Sequence, residues 1–285
     1  MEFLKTIFIS IIQGITEFLP VSSSGHIFLL KNIMKLEIDA TFDIVIHMGT
    51  LIAVIIIYFK EIKELISGLM FKSINSKYLG NNLTRNDFFK IAFLFIIATI
   101  PGGIAGLFLE KPLDVEPSNT KSWMFLILGF CFLITAILLL SNYLINNNKV
   151  TKNKSIKEIN ILNAIFIGLF QALAILPGIS RSGSTITAAL HTKLNREDAA
   201  KFSFLLSIPI IAAAFFLKLA KFIQTKEFAD IHTMKLLIIA LIVSFISGYF
   251  SLRFLIKLIK KGKLWFFSIY LVAPIIISIV LWILN

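Results

Sequence analysis

Pro20-Val21-Ser22-Ser23-Ser24-Gly25-His26 and Pro177-Gly178-Ile179-Ser180-Arg181-Ser182-Gly183-Ser184 interrupt a chain that is otherwise almost continuously apolar, at matching places in its two halves. Each is a proline-led, glycine-containing run of hydroxyls; one carries a histidine and the other an arginine. Inside hydrocarbon such groups are costly, and an ionisable side chain at that depth reads as functional by default. The pairing points to one buried polar site assembled from both halves.

Composition places these segments in hydrocarbon. The 285 residues are 57% hydrophobic and 15% charged, with 28 Phe and a mean hydropathy of +0.88, which describes an all-α polytopic membrane protein. Apolar stretches of roughly 20 residues, at about 1.5 Å each, are long enough to cross a bilayer. They fall at 42–59, 91–109, 123–145, 199–217, 236–254 and 264–284, predicting six full transmembrane helices. The N-terminal apolar stretch runs directly into the first polar cluster and lacks a basic region and a small-residue cleavage site, so it is expected in the mature fold. The single cysteine, Cys131, lies in a predicted span and allows neither an intramolecular disulfide nor a cysteine-based metal site.

Two apolar pieces remain, 3–19 and 161–176, leading into Pro20 and Pro177. The apolar runs that follow, Ile27 to Met34 and Ile186 to Leu190, are too short to cross. Two re-entrant helical hairpins are therefore expected, with tips facing inward, because irregular backbone at that depth survives only where protein or a water-filled cavity satisfies it. With the chain starting outside, segments 60–90, 146–160, 191–201 and 253–263 face the cytoplasm and carry about twice as many Lys and Arg as the outer segments. Topology thus explains most of the net charge of +12, and no nucleic-acid partner is inferred from it.

Under this topology the halves enter the membrane from opposite sides, so similarity between them implies an inverted-topology repeat. Leu19 to Gly25 lies on Leu176 to Gly183 with one inserted residue, and Phe42 to Ala53 lies on Phe202 to Ala213. The expected organisation is a first repeat over 1–150 and a second over 151–285, each a hairpin plus three spans, in one integrated membrane domain. Such proteins place their site where broken helices meet near the midplane.

Gln13 and Glu17 share a helical face at i, i+4, just ahead of Pro20. A carboxylate at that depth binds a divalent cation, exchanges a proton or pairs with Arg181; a purely structural ion pair is the plain alternative. Ser22, Ser23, Ser24, Gly25 and His26 bring hydroxyls, backbone N–H groups and an imidazole to a helix start, a natural anion seat, or else are helix caps and an interface histidine. His26 is equipped to act as nucleophile, general acid or base. Ser180, Arg181, Ser182, Gly183, Ser184 and Thr185 set a planar guanidinium amid hydroxyls, the chemistry of phosphate binding and of stabilising charge on a phosphoryl transition state. Asp43 and His47 lie toward the outer end of a span, where lining the entrance and interfacial placement are both open. His191 and His232 read as loop or interface residues.

Taken together these residues resemble the undecaprenyl-diphosphatase family, the bacterial bacitracin-resistance proteins, over nearly the whole chain. The resemblance is carried by Gln13-Gly-Ile-Thr-Glu17-Phe-Leu-Pro-Val-Ser-Ser-Ser-Gly-His26 and by Leu176-Pro-Gly-Ile-Ser-Arg181-Ser-Gly-Ser-Thr185. It implies hydrolysis of undecaprenyl diphosphate to the monophosphate and inorganic phosphate, recycling the lipid carrier for cell-wall synthesis and conferring bacitracin resistance. It also implies a divalent cation, Mg²⁺ or Ca²⁺, and a site open to the outer face of the bacterial cytoplasmic membrane. By motif position Glu17, His26 and Arg181 match the family's essential residues. Ser22, Ser23, Ser24, Ser180, Ser182 and Thr185 match phosphate contacts or nucleophile candidates, Ser23 or Ser24 foremost; attack by His26 or by water stays open. Gln13 stands where many relatives have Glu, so the cation is expected on Glu17 and the diphosphate oxygens, with water and Gln13 completing its shell.

Type-2 phosphatidic-acid phosphatases also carry Ser-Gly-His and Ser-Arg, but here Ser-Gly-His is not preceded by Pro and the arginine segment lacks the downstream His and Asp. A polyprenyl-phosphate transporter or flippase is the competing class, since inverted repeats around a midplane site are also the architecture of carriers. The lipid bilayer is an expected partner, and a homodimer is left open.

Overall fold

The computed structural model describes residues 2–35, 40–71, 76–80, 83–113, 120–147, 154–225 and 231–284. Their regular structure is helical: α1 (Glu2–Phe18), α2 (Ser23–Ile33), α3 (Ala40–Ile57), α4 (Phe59–Met70), α5 (Arg85–Leu113), α6 (Ser122–Asn147), α7 (Ile161–Leu173), α8 (Arg181–His191), α9 (Arg196–Thr225), α10 (Ile231–Lys260), α11 (Phe266–Tyr270) and α12 (Val272–Leu284). A short 3₁₀ turn, Ile156–Glu158, precedes α7, and the β-structure among these residues is one isolated bridge between Lys154 and Leu194.

Among the described residues five helical stretches are long and apolar enough to cross a bilayer: Arg85–Leu109, Ser122–Tyr143, Arg196–Phe216, Thr233–Lys260 and Phe266–Leu284. The predicted span at 42–59 is α3, which meets that test only together with α4, bent 70° from it. Phe93, Leu107, Phe130 and Phe250 point outward from these helices, and Phe8 does so from α1. An apolar surface of that extent belongs in lipid rather than in water.

In lipid, helices gain nothing from burying apolar surface against each other, so close backbone approach and hydroxyl-to-carbonyl bonds join them. α10 illustrates this between α1 and α3. A Cβ on Gly14 would lie 1.9 Å from Ser247 Oγ, and one on Gly49 would lie 2.1 Å from Ser244 Oγ. Ser251 Oγ donates to the Ile15 carbonyl at 2.8 Å. The same device joins α5 to α7, where a Cβ on Gly168 would meet the Ala98 carbonyl at 2.6 Å.

The chain breaks after α1 and again after α7, at the two polar segments. α2 and α8 each have 11 residues, roughly 16 Å of helix, about half of a ~30 Å hydrocarbon core. α8 lies deepest: Ser182 through Ala189 are all buried, packed among α6, α7 and α9. Its small side chains are what let three longer helices crowd around it.

Candidate active site

Both breaks end in one capping device. Ser22 Oγ accepts the Gly25 N–H at 3.3 Å, and Ser180 Oγ accepts the Gly183 N–H at 3.1 Å. Each satisfies a donor that a helix start leaves unpaired. Ser23 and Arg181 consequently occupy the first helical positions of α2 and α8.

The tips interlock. The Gly178 N–H donates to Ser22 Oγ at 3.1 Å, and a Cβ on Gly25 would come within 2.9 Å of the Gly178 backbone. Ser22 holds a φ of 69°, a backbone region that L side chains rarely adopt; its hydroxyl, bonded to two N–H groups, holds that conformation in place. From α6, Thr135 Oγ1 donates to the Gly178 carbonyl at 2.8 Å and accepts the Ser180 N–H at 3.1 Å.

Interlocking delivers the two leading side chains to one carboxylate. Arg181 Nη2 pairs with Glu17 Oε1. Ser23 Oγ donates to Glu17 Oε2 at 2.7 Å, and Gln13 Nε2 donates to the same oxygen at 3.0 Å. The Glu17 side chain is 6% exposed and that of Arg181 19%, so the pair is held largely out of water, where the attraction between charges is strong. Arg181 Nη1 is buried without a partner, a donor left for an anion.

These groups open onto a cavity of about 280 Å³. Its polar wall is Thr16, Glu17, Ser22, Ser23, Ser24, Asp43, His47, Ser180 and Arg181, with Gln171 beyond. Ile175, Ile179, Ile210, Ile211, Ala214 and Phe215 form an apolar wall, largely from α9. The cavity therefore pairs an anion-binding head with a surface suited to a hydrocarbon tail.

Of the residues read from sequence, Glu17, Ser22, Ser23, Ser24, Ser180 and Arg181 line the cavity. Gln13 stands behind Glu17, and Gly25 lies in the tip contact. Ser182, Gly183, Ser184 and Thr185 turn into the protein: Ser182 Oγ bonds Ser180 Oγ at 3.2 Å, Gly183 packs on Pro20, Ser184 Oγ is buried without a partner, and Thr185 bonds Ser203. His26 is not among the lining residues. Its Nδ1 bonds the Ser22 carbonyl at 2.8 Å and its Nε2 the Tyr270 hydroxyl at 2.9 Å, with the ring stacked on Tyr270 and edge-on to Phe132. His191 bonds Ser141, and the side chain of His232 lies outside the described residues.

The structure adds residues that the motifs did not mark. His47 and Asp43 take the lining position of the two left open. Thr135, Gln171 and Tyr270 are isolated polar groups flanked by apolar residues, and that was their only signal in the sequence.

The profile described as Bacitracin resistance protein BacA matches residues 6–277. The chain is 38% identical over 276 residues to an undecaprenyl-diphosphatase of Alkaliphilus metalliredigens, covering 95% of each chain. It is 39% identical over 276 residues to the Treponema denticola undecaprenyl-diphosphatase, covering 95% of this chain and 94% of the relative. To that of Methanosphaera stadtmanae it is 35% identical over 287 residues, covering 99% and 98%. With matches of this length running through both polar segments, the chain belongs to the bacitracin resistance protein BacA family.

Proposed function

We propose that this protein hydrolyses undecaprenyl diphosphate to undecaprenyl phosphate and inorganic phosphate, a reaction that returns the lipid carrier to cell-wall synthesis and counters bacitracin. The names of its relatives supply the substrate. The observation that carries the reading is the convergence of Ser23 and Arg181, from the starts of two helices in opposite halves, on Glu17 inside one cavity.

In this reading Arg181 Nη1 and the α2 and α8 starts hold the terminal phosphate and stabilise charge that builds on it. Ser23 Oγ, oriented by its hydrogen bond to Glu17 Oε2, attacks the terminal phosphorus, and its proton passes to an oxygen of the departing phosphate. The phosphorus–oxygen bond to the bridging oxygen breaks and undecaprenyl phosphate leaves. Water then cleaves the phosphoserine: its hydroxide goes to phosphorus and its remaining hydrogen to Ser23 Oγ. Ser24, the neighbouring hydroxyl at the cavity, is the alternative nucleophile. His26 contributes by bonding the Ser22 carbonyl and so fixing the tip that presents Ser23.

Among the described residues no three His, Cys, Asp or Glu side chains form a metal-holding cluster. What fits is a cation of the Mg²⁺ type, which takes one or two protein ligands and completes its shell with substrate phosphate and water. Glu17 is the carboxylate to hold it, and Gln13, behind Glu17, steadies that carboxylate through Nε2. When bound, such an ion neutralises the diphosphate oxygens.

The inverted repeat is supported by the matched caps of α2 and α8, and re-entrant hairpins by the shortness of those helices. The charge bias supports a cytoplasmic membrane location with the cavity opening outward. The test is phosphate release from undecaprenyl diphosphate by the purified protein in detergent, with and without EDTA. Metal-dependent release that falls by about 10²–10³ in Arg181→Ala is expected; no release from folded wild-type protein overturns the reading.

A further inference from the structure

His47 is the cavity's histidine, and its two ring nitrogens have separate environments. Nδ1 lies 2.8 Å from the backbone carbonyl of Asp43, one turn earlier on α3. A carbonyl only accepts, so Nδ1 carries the hydrogen, and in the neutral ring Nε2 presents a bare lone pair. That lone pair lies 3.9 Å from Glu17 Oε2. The distance is too long for a hydrogen bond, yet it lies inside the roughly 4 Å that one ion can span with metal–ligand bonds of about 2.0–2.2 Å, and a small closing of the two side chains would seat it.

We propose that His47 Nε2 and Glu17 Oε2 together ligate a divalent cation at the cavity wall, with His47 as the second protein ligand. The proposal rests on the reading of the cavity as a diphosphate site. Metal-binding histidines almost always donate their other N–H to a carbonyl or carboxylate, which fixes the tautomer and raises ligand basicity. His47 has the carbonyl, and Asp43 Oδ1 lies 3.6 Å from the same nitrogen. Gln13 does not line the cavity, and its amide nitrogen is engaged in steadying Glu17. Among the described lining residues the remaining charges are Asp43, on the other nitrogen of His47, and Arg181, which faces the opposite oxygen of Glu17; α9 contributes Ile210, Ile211, Ala214 and Phe215 to the wall, and α10 meets α3 through Ser244 at Gly49.

A mixed imidazole–carboxylate pair changes which ion is preferred. Carboxylates suit Mg²⁺, Ca²⁺ and Mn²⁺, whereas imidazole suits first-row transition metals. Mn²⁺ is common to both preferences, and the site is expected to hold it more tightly than Ca²⁺.

The test is Mn²⁺ binding to the full chain in detergent, followed by electron paramagnetic resonance, with methylenediphosphonate as a hydrolysis-resistant diphosphate head. Wild type should show nitrogen hyperfine coupling from one imidazole. His47→Gln should lose that coupling and bind Mn²⁺ about 10–100-fold more weakly, while Ca²⁺ binding falls less. Free imidazole should restore Mn²⁺ binding to His47→Ala, which separates a missing ligand from a misfolded protein. Absence of coupling in wild type, or undiminished Mn²⁺ binding in His47→Gln, overturns the proposal. Phosphate release measured on the same preparations separates the two readings. Release without nitrogen coupling removes His47 from the metal and leaves hydrolysis standing; coupling without release does the reverse.

Discussion

Both oxygens of Glu17 accept hydrogen bonds, from Arg181 on one side and from Ser23 and Gln13 on the other. Glu17→Gln sets an amide N–H against at least one of these donors, so phosphate release is expected to fall by about 10²–10³, read from kcat with undecaprenyl diphosphate. Two neighbouring serines should behave differently in thermal unfolding in detergent. Ser22→Ala strands the Gly25 and Gly178 N–H groups and is expected to cost about 1–3 kcal/mol. Ser24 is exposed to the cavity, and its hydroxyl bonds Ser22 Oγ at 3.3 Å; Ser24→Ala should stay within about 0.5 kcal/mol. The sequence made Glu17, the serines and Arg181 legible because they form dense polar runs where polarity is costly. It did not separate His47 from an interfacial histidine, since one polar residue on an apolar helix carries no direction until the neighbouring helices are in place.

At the scale of elements, α2 and α8 depend on glycines where backbones touch. A Cβ at Gly25 would lie 2.6 Å from Phe132 Cζ and 2.9 Å from the Gly178 backbone. Gly25→Ala is therefore expected to lower stability by about 1–3 kcal/mol, the usual cost of overpacking, and to reduce activity by parting the tips. Gly103 on α5 has open space where its Cβ would go, and Gly103→Ala should be neutral or stabilising, Ala being the better helix former. α4 has a different task. Its Glu64 accepts N–H groups from Lys77, Tyr78 and Leu79 and the Ser76 hydroxyl, tying 76–80 to the helix. In Glu64→Ala, amide hydrogen exchange across 77–79 should speed up while phosphate release is unchanged, because neither Glu64 nor 76–80 is among the cavity's lining residues.

For the whole molecule, the proposed orientation predicts which surfaces each side of the membrane can reach. In a Cys131→Ser background, Ser24→Cys should react with a membrane-impermeant thiol reagent added outside intact cells. Lys157→Cys, exposed within the 3₁₀ turn, should react only after the membrane is opened. The reverse pattern would invert the topology and turn the cavity toward the cytoplasm.

The sequence by itself determined the membrane class, the positions of the long apolar helices and the two polar breaks, because each depends on local composition and on segment length against bilayer thickness. Only the tertiary structure decided which polar groups share a cavity. Glu17 and Arg181 are 164 positions apart, and their contact exists because the Ser22 and Ser180 caps, the Gly25–Gly178 approach and Thr135 lock two helix starts together. The same packing turned Ser182, Ser184 and Thr185 inward, set His26 against Tyr270, and brought His47 to the cavity wall. Which way a helix faces is settled by the neighbours it packs against, and no run of residues read along the chain contains that information.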